Sequence, residues 1–322
     1  MTKLDDNEIT ERIYMAGFMF SIISLITCSI CFLIIIFNKI LRTITYNFLM
    51  LIFFSEILGN IGNICEYNKI TGKNQYEFLN KASLFLIPFS DMFTMILFCF
   101  FSYSSIELIK KYNRAIKEKE KIFFIISFLI SIVYAMLIFI ILKDKEEEET
   151  NIRFYFYKNS GYNFIRFIHI SLLVGMSILI FSETFVVVIF MKERMRTDNI
   201  NSWKRDKLSR ILVRYPVICT LYWIFYVVYL PLSKFHKDLE ITYILYFFSI
   251  SFLNLRGFLI SINAVLTSKM QTMLQRFFVI YLRGIILSLD LFGKKKKRRR
   301  KKADKKDNDQ KNEAEKALMS NY

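Results

Sequence analysis

Glycine and proline are scarce in this chain, at 9 and 3 of 322 residues. No Gly-rich loop is present to cradle a phosphate, and no strained nucleophile elbow. Histidine is rarer still, with 2 copies. His169 and His236 lie in different regions, so a three-His zinc centre cannot be assembled. The five cysteines, Cys28, Cys31, Cys65, Cys99 and Cys219, all fall in or at the edge of apolar runs. That placement argues against a disulfide framework; buried thiols pack as small hydrophobes. No nucleophile and base stand at readable spacing. The sequence therefore assigns no catalytic residue, no metal and no cofactor, and the expectation is that the chain is not an enzyme.

What the chain has is apolar length. Hydrophobic residues make up 54% of it, and its mean hydropathy is positive. Runs of about 20 apolar residues recur, each long enough to span a hydrocarbon core about 30 Å thick. Lipid offers no partner for backbone polar groups, so only helices or closed barrels survive there, and continuous runs without alternation select helices. Seven spans are expected: Tyr14 to Phe37, Ile44 to Cys65, Ser83 to Leu108, Ile122 to Leu142, Phe167 to Met191, Tyr215 to Leu232 and Thr242 to Leu266. The fold class is thus an all-α membrane protein, a seven-transmembrane-helix bundle. The opening residues MTKLDDNEIT are acidic and the first apolar run is long, which does not match a cleavable signal peptide.

The formal charge of +17 reads as membrane topology rather than nucleic-acid binding. Residues 1–13 and the connections 66–82, 143–166 and 233–241 carry 2, 3, 5 and 2 Lys or Arg. On the other side, the connections 38–43, 109–121 and 192–214 and the tail carry 2, 6, 8 and 16. Positive charge marks the cytoplasmic face, so the short N-terminus (1–13) is expected outside and the tail inside, as in a plasma-membrane protein. After the seven-helix domain (14–266), the segment 267–292 places Gln271, Thr272, Gln275, Arg276, Arg283 and Asp290 roughly on one stripe, as in a helix lying in the interface. An eighth span there would put the basic run Lys294–Lys302 outside, against the charge rule. The final stretch, 293–322, reads as a polybasic disordered tail. The basic run is expected to contact the anionic leaflet in preference to acting as a nuclear signal. The acidic run Glu146 to Glu149 can gather cations or be a solvated loop. Trp203 with Lys204, Arg205 and Lys207 can meet an acidic partner or the membrane surface.

Ionisable residues inside the spans are the sharpest signals, because each costs several kcal/mol unless paired or hydrated. Glu56 lies midway along the second span, with Asn60 and Asn63 on the same face. Asp91 lies in the third, with Thr94 and Ser102 near its face. His169 and Glu183 share a secondary stripe in the fifth, and Ser249, Arg256 and Asn263 are spaced by seven in the last. At 1.5 Å per residue, Glu56 and Arg256 differ in depth by less than about 10 Å. A pairing of the two is expected, either as a structural tie or as a switch. Asp91 is either a second partner for Arg256 or a counter-ion for a cationic ligand. The last span has no lysine before Lys269, so retinal would find no Schiff-base residue there.

Three places resemble the cyclic-AMP-receptor-like group of G-protein-coupled receptors found in protists, and its secretin-type relatives. They are Leu41 and Arg42 ahead of Asn47-Phe48-Leu49 and Glu56-Ile57-Leu58; Tyr215-Pro216 with Cys219 and Trp223; and Arg256-Gly257-Phe258 followed by Asn263-Ala264. The likeness covers residues 14–290 in layout. Arg256 stands where that group carries glutamine, and the cysteine pair joining helix 3 to the second exterior loop is missing, since residues 143–166 contain no cysteine. Neither an Asp-Arg-Tyr triplet nor an Asn-Pro-x-x-Tyr sequence is present, against the rhodopsin-type class. The resemblance implies an extracellular ligand and a heterotrimeric G protein docking on cytoplasmic loops. Lys110, Lys111 and Arg114 in one loop, and Arg194, Arg196, Lys204, Arg205 and Lys207 in another, supply basic faces for it. The competing expectation is a transporter or channel using the intramembrane charges; an odd span count, no inverted repeat and few helix breaks stand against it.

Overall fold

The structure, a computed structural model, describes residues 6–38, 41, 43–70, 77–111, 115–142, 240–267 and 269–280, with scattered helical positions between 172 and 229. Among these residues the chain is helical, with no strand. Five long helices are complete: α1 (Asp6–Phe37), α2 (Ile44–Ile70), α3 (Glu77–Lys111), α4 (Ala115–Leu142) and α5 (Glu240–Val265). Each contains a stretch long and apolar enough to cross a membrane: Glu11–Phe37, Thr45–Tyr67, Lys81–Ser104, Lys119–Ile141 and Tyr243–Val265. The protein is a helical, multi-pass membrane protein. α5 corresponds to the seventh expected span. The fifth and sixth fall largely outside the described residues.

The helices outrun the expected spans. The apolar pattern locates the hydrocarbon, whereas the backbone hydrogen-bond ladder continues past it under polar side chains. α1 begins at Asp6, inside the segment expected as an exterior tail. Lys110 and Lys111 belong to the last turn of α3, and α4 begins at Ala115, so most of the expected loop 109–121 is helix.

The distribution of side chains is inverted relative to a soluble bundle. On α1 the exposed stripe is Met15, Met19, Ile23, Ile26, Leu33 and Phe37, while the buried stripe carries Gly17, Ser21, Ser24, Cys28 and Cys31. On α4, Ile122, Ile125, Leu129, Val133, Met136 and Ile140 are exposed, and Ser127, Ser131 and Ala135 are buried. Large apolar groups toward the surroundings and small groups at the contacts is how helices pack in lipid, where close backbone approach replaces the hydrophobic drive. The Ser127 and Ser131 hydroxyls donate to carbonyls one turn back, so neither polar group is stranded.

α2 packs on α1, α3 and α5; α3 also packs on α4, and α1 on α5. α3 is the most enclosed, with 78% of its apolar stretch buried against 22% for α4. Its contact with α4 is aromatic: Phe93 meets Phe124 and Phe128 edge-on, and Phe100 stacks on Phe123 with ring centroids 4.3 Å apart. At one end of the bundle Tyr246 donates to the Tyr14 hydroxyl at 2.8 Å, joining α5 to α1, and the Asn63 amide donates to the Asn254 side-chain oxygen at 2.9 Å, joining α2 to α5. Tyr246→Phe is expected to cost about 0.5–1.5 kcal/mol, seen as a lowered Tm in detergent. An unchanged Tm would mean that the α1–α5 contact does not depend on this bond.

Chain contacts divide the molecule into Met1–Met270 and Gln271–Tyr322. In the second unit, residues 271–280 are helical, and helical spacing puts Gln271, Thr272, Gln275 and Arg276 on one arc and Met273, Leu274, Phe277 and Ile280 on another.

Candidate functional site: a buried ion cluster joining three helices

Glu56, Asp91 and Arg256 come from α2, α3 and α5 and meet inside the first unit. Arg256 is 1% exposed and Glu56 2%. The guanidinium Nε lies 2.6 Å from Glu56 Oε1, and Nη1 donates to Asp91 Oδ1 at 2.9 Å. Nη2 donates to Ser90 Oγ at 3.3 Å. One planar fork thus addresses three side chains on two helices, which a lysine ammonium could not do with the same geometry.

Hydroxyls complete the site. Ser55 Oγ donates to the Ser90 carbonyl at 3.0 Å, and Ser90 Oγ donates to the Ser55 carbonyl at 2.8 Å. This reciprocal pair pins α2 to α3 at the level of the ions. Thr94 Oγ1 lies 3.0 Å from Glu56 Oε1 and 2.9 Å from Ser55 Oγ. Pro88, inside α3, stands one turn from these groups. A proline removes one backbone hydrogen bond, so α3 is locally weakened beside its ion contact.

Glycines set the approach that makes these distances possible. A Cβ on Gly59 would lie 2.3 Å from Ser90 Oγ and 2.8 Å from Ser90 Cβ. A Cβ on Gly257, next to Arg256, would lie 2.4 Å from Cys28 Sγ and 2.5 Å from Ser24 Oγ on α1. A Cβ at either position would force its neighbours to shift, and at Gly59 the Ser90 Cβ, fixed to its backbone, makes that a movement of the helix.

The other expected site residues divide. Asn60 lies beside the cluster, donating to the Glu56 carbonyl at 2.7 Å and to Ser24 Oγ at 3.0 Å, which ties α2 to α1. Asn263 is not part of it. It sits seven residues along α5, about 10 Å away, and its buried amide nitrogen has no hydrogen-bond partner among the described residues. Spacing by seven puts two residues on one face but two turns apart in depth. Ser249 bonds the carbonyl of Leu245 in its own helix. Ser102 is buried, and its hydroxyl has no hydrogen-bond partner among the described residues. Trp223 is buried, its ring meeting Tyr226 edge-on; Gly257 is buried and Phe258 half-buried. Arg42, Arg114, His169, Glu183, Arg194, Arg196, Lys204, Arg205, Lys207, Pro216 and Lys294–Lys302 lie outside the described residues, as do Trp203 and the run Glu146–Glu149.

The sequence reading missed Ser55, Ser90 and Ser24, which build the walls of the site, and Asn254. A signal was available for the first: Ser55, Gly59 and Gly62 share one face of α2, the small-residue spacing of close membrane crossings. Among the described residues no group of His, Cys, Asp and Glu is arranged to hold a metal ion. No protein-family model matches the chain, and no curated protein matches it in sequence.

Proposed function

We propose that the chain is a cell-surface seven-transmembrane receptor that passes an extracellular chemical signal to a heterotrimeric G protein. One observation carries the reading: a single arginine holds α2, α3 and α5 together through two carboxylates, each group lying midway along an apolar stretch. Such a tie cannot stretch gradually. If α5 shifts or turns, Arg256 must keep one carboxylate and leave the other, which gives the bundle two discrete arrangements for a ligand to choose between. The resemblance of the last span to receptors with a polar residue at this position adds to it, as do the basic connections that the charge rule puts inside. The bonds of Tyr14 with Tyr246 and of Asn63 with Asn254 close α1, α2 and α5 against each other. On the proposed orientation that end is extracellular, so the ligand engages the side of α3 away from α1. The polybasic run after the last span would lie against anionic lipid.

The test is nucleotide exchange. The full chain, reconstituted in nanodiscs, is expected to accelerate exchange on a heterotrimeric G protein from its own cell when its ligand is supplied in a screen. Absence of acceleration on every G protein of that cell would overturn the proposal. The second reading, a transporter, draws on the same buried charges. Proteoliposome flux abolished by Glu56→Gln, with no exchange activity, would select it. Through the depth of the ion cluster α2, α3 and α5 each run as one continuous helix, unlike the interrupted helices that form midplane transport sites.

A further inference from the structure

At the end of the bundle away from the Tyr14–Tyr246 bond, α2 and α5 meet again. The two helices run antiparallel: Asn63, Glu56 and Tyr46 on α2 meet Asn254, Arg256 and Thr267 in that order. The Tyr46 hydroxyl lies 2.9 Å from Thr267 Oγ1, across 221 residues of sequence. Both side chains are buried. Thr267 stands where one helix gives way to another. α5 stops at Val265. The Thr267 N–H then closes its last turn on the Ala264 carbonyl at 3.1 Å, and a further helical run covers 269–280.

The Thr267 hydroxyl is fully used. It donates to the Ala264 carbonyl at 2.7 Å and accepts from the Met270 N–H at 3.4 Å. A hydroxyl has one proton and two lone pairs. With its proton on Ala264, Thr267 accepts from Tyr46, so Tyr46 is the donor. A threonine oxygen accepting from the N–H three residues on is a helix N-cap, and it satisfies a donor that the helix itself leaves over. Met270 is 0% exposed, so water does not reach that N–H in its place. One oxygen thus ends α5, caps the helix that follows and takes a hydrogen bond from α2.

We propose that Tyr46 and Thr267 form a coupling joint, in which α2 holds the cap of the helix 269–280 in place. A shift of α5 against α2 that pulls Thr267 from Tyr46 frees the threonine side chain to turn, and the Met270 N–H loses its acceptor. The first turn of the following helix then loosens. A change in how two bundle helices meet is in this way passed to the segment that leads to the basic run. The joint rests on these bonds and holds whether or not the chain is a receptor.

Hydrogen exchange of the full chain in nanodiscs, read on peptides covering 267–276, tests the coupling without any ligand. Thr267→Val keeps the side-chain shape and removes the hydroxyl. It is expected to speed exchange there by about two- to thirty-fold, the range that follows from loss of a cap. Tyr46→Phe removes one oxygen from α2, and is expected to speed exchange in the same peptides by about twofold or more. Adding it to Thr267→Val should bring no further rise, because the joint is already open. Thr267→Ser keeps the hydroxyl and should match the parent. Peptides around Tyr14 and Tyr246 report the rest of the bundle and should not change in any variant. An unchanged 267–276 in Tyr46→Phe would make the cap a local feature and overturn the proposal. A rise spread evenly over all the helices would overturn it too, as general loosening. Should Thr267→Val not fold, Tyr46→Phe against the parent decides by the same two readings.

Discussion

Arg256→Gln is expected to lower the stability of the folded protein by about 3–5 kcal/mol, the cost of removing one member of a buried ion pair and leaving the rest in place. The cost is high because Arg256 serves both carboxyls at once, at 2.6 and 2.9 Å. Glu56→Gln should cost less, about 1–3 kcal/mol. Asp91 still holds Nη1, and the carboxamide oxygen can accept from the guanidinium where the carboxylate did. Asp91→Asn should fall in the same range for the mirrored reason. Combining Glu56→Gln with Arg256→Gln, the residue that the resembled receptors carry there, is expected to recover part of the loss, since one of the two stranded acids is gone. Thermal unfolding of the four proteins in one detergent forms a double-mutant cycle. Additive losses would mean that Glu56 and Arg256 do not interact. Equal losses for Glu56→Gln and Arg256→Gln would mean that Asp91 does not share the guanidinium.

Gly257→Val is the second change with a large expected effect, and it acts through volume rather than charge. Even the first added carbon would stand 2.4 Å from Cys28 Sγ, 2.5 Å from Ser24 Oγ and 3.3 Å from Glu56 Cβ. Those neighbours are short side chains on buried helix faces, so either they turn to another rotamer and give up their present contacts or α1 retreats from α5. Overpacking of this kind costs about 1–3 kcal/mol for a small addition, and more for a branched one. Retreat of α1 would also stretch the Asn60 bond to Ser24, now 3.0 Å. The loss should appear as a lower yield of monodisperse protein and a lower Tm. Gly257→Ala should show a smaller loss, and Cys28→Ala on top of it should return part of the stability by freeing the nearest contact. A Gly257→Ala protein with the parent Tm would mean that α1 and α5 are not as close as the structure has them.

The apolar runs of α1 to α4 and α5 were legible because lipid imposes its requirement locally: every span needs length and a satisfied backbone, and both can be read from consecutive residues. Glu56, Asp91 and Arg256 were legible as a group for the same kind of reason, since each is an expensive residue in hydrocarbon and must find company. Helix ends were less so. Lys110 and Lys111 looked like loop because the apolar signal stops before them, although the helix does not. The Glu56–Arg256 pair, with Asp91 as a candidate second partner, was legible from depth, whereas the remaining partners were a matter of tertiary structure. Arg256 could be matched to Glu56 by depth, but only the crossing of α3 over α2, set by Gly59 against Ser90, brings Asp91 and Ser90 within reach of the same guanidinium. Asn60 and Asn63 share a stripe in the sequence, yet Asn60 bonds Ser24 of α1 and Asn63 bonds Asn254 of α5. Helical periodicity specifies a direction around one axis. Partners depend on where neighbouring axes cross and at what depth, and that is decided by the small residues at each contact.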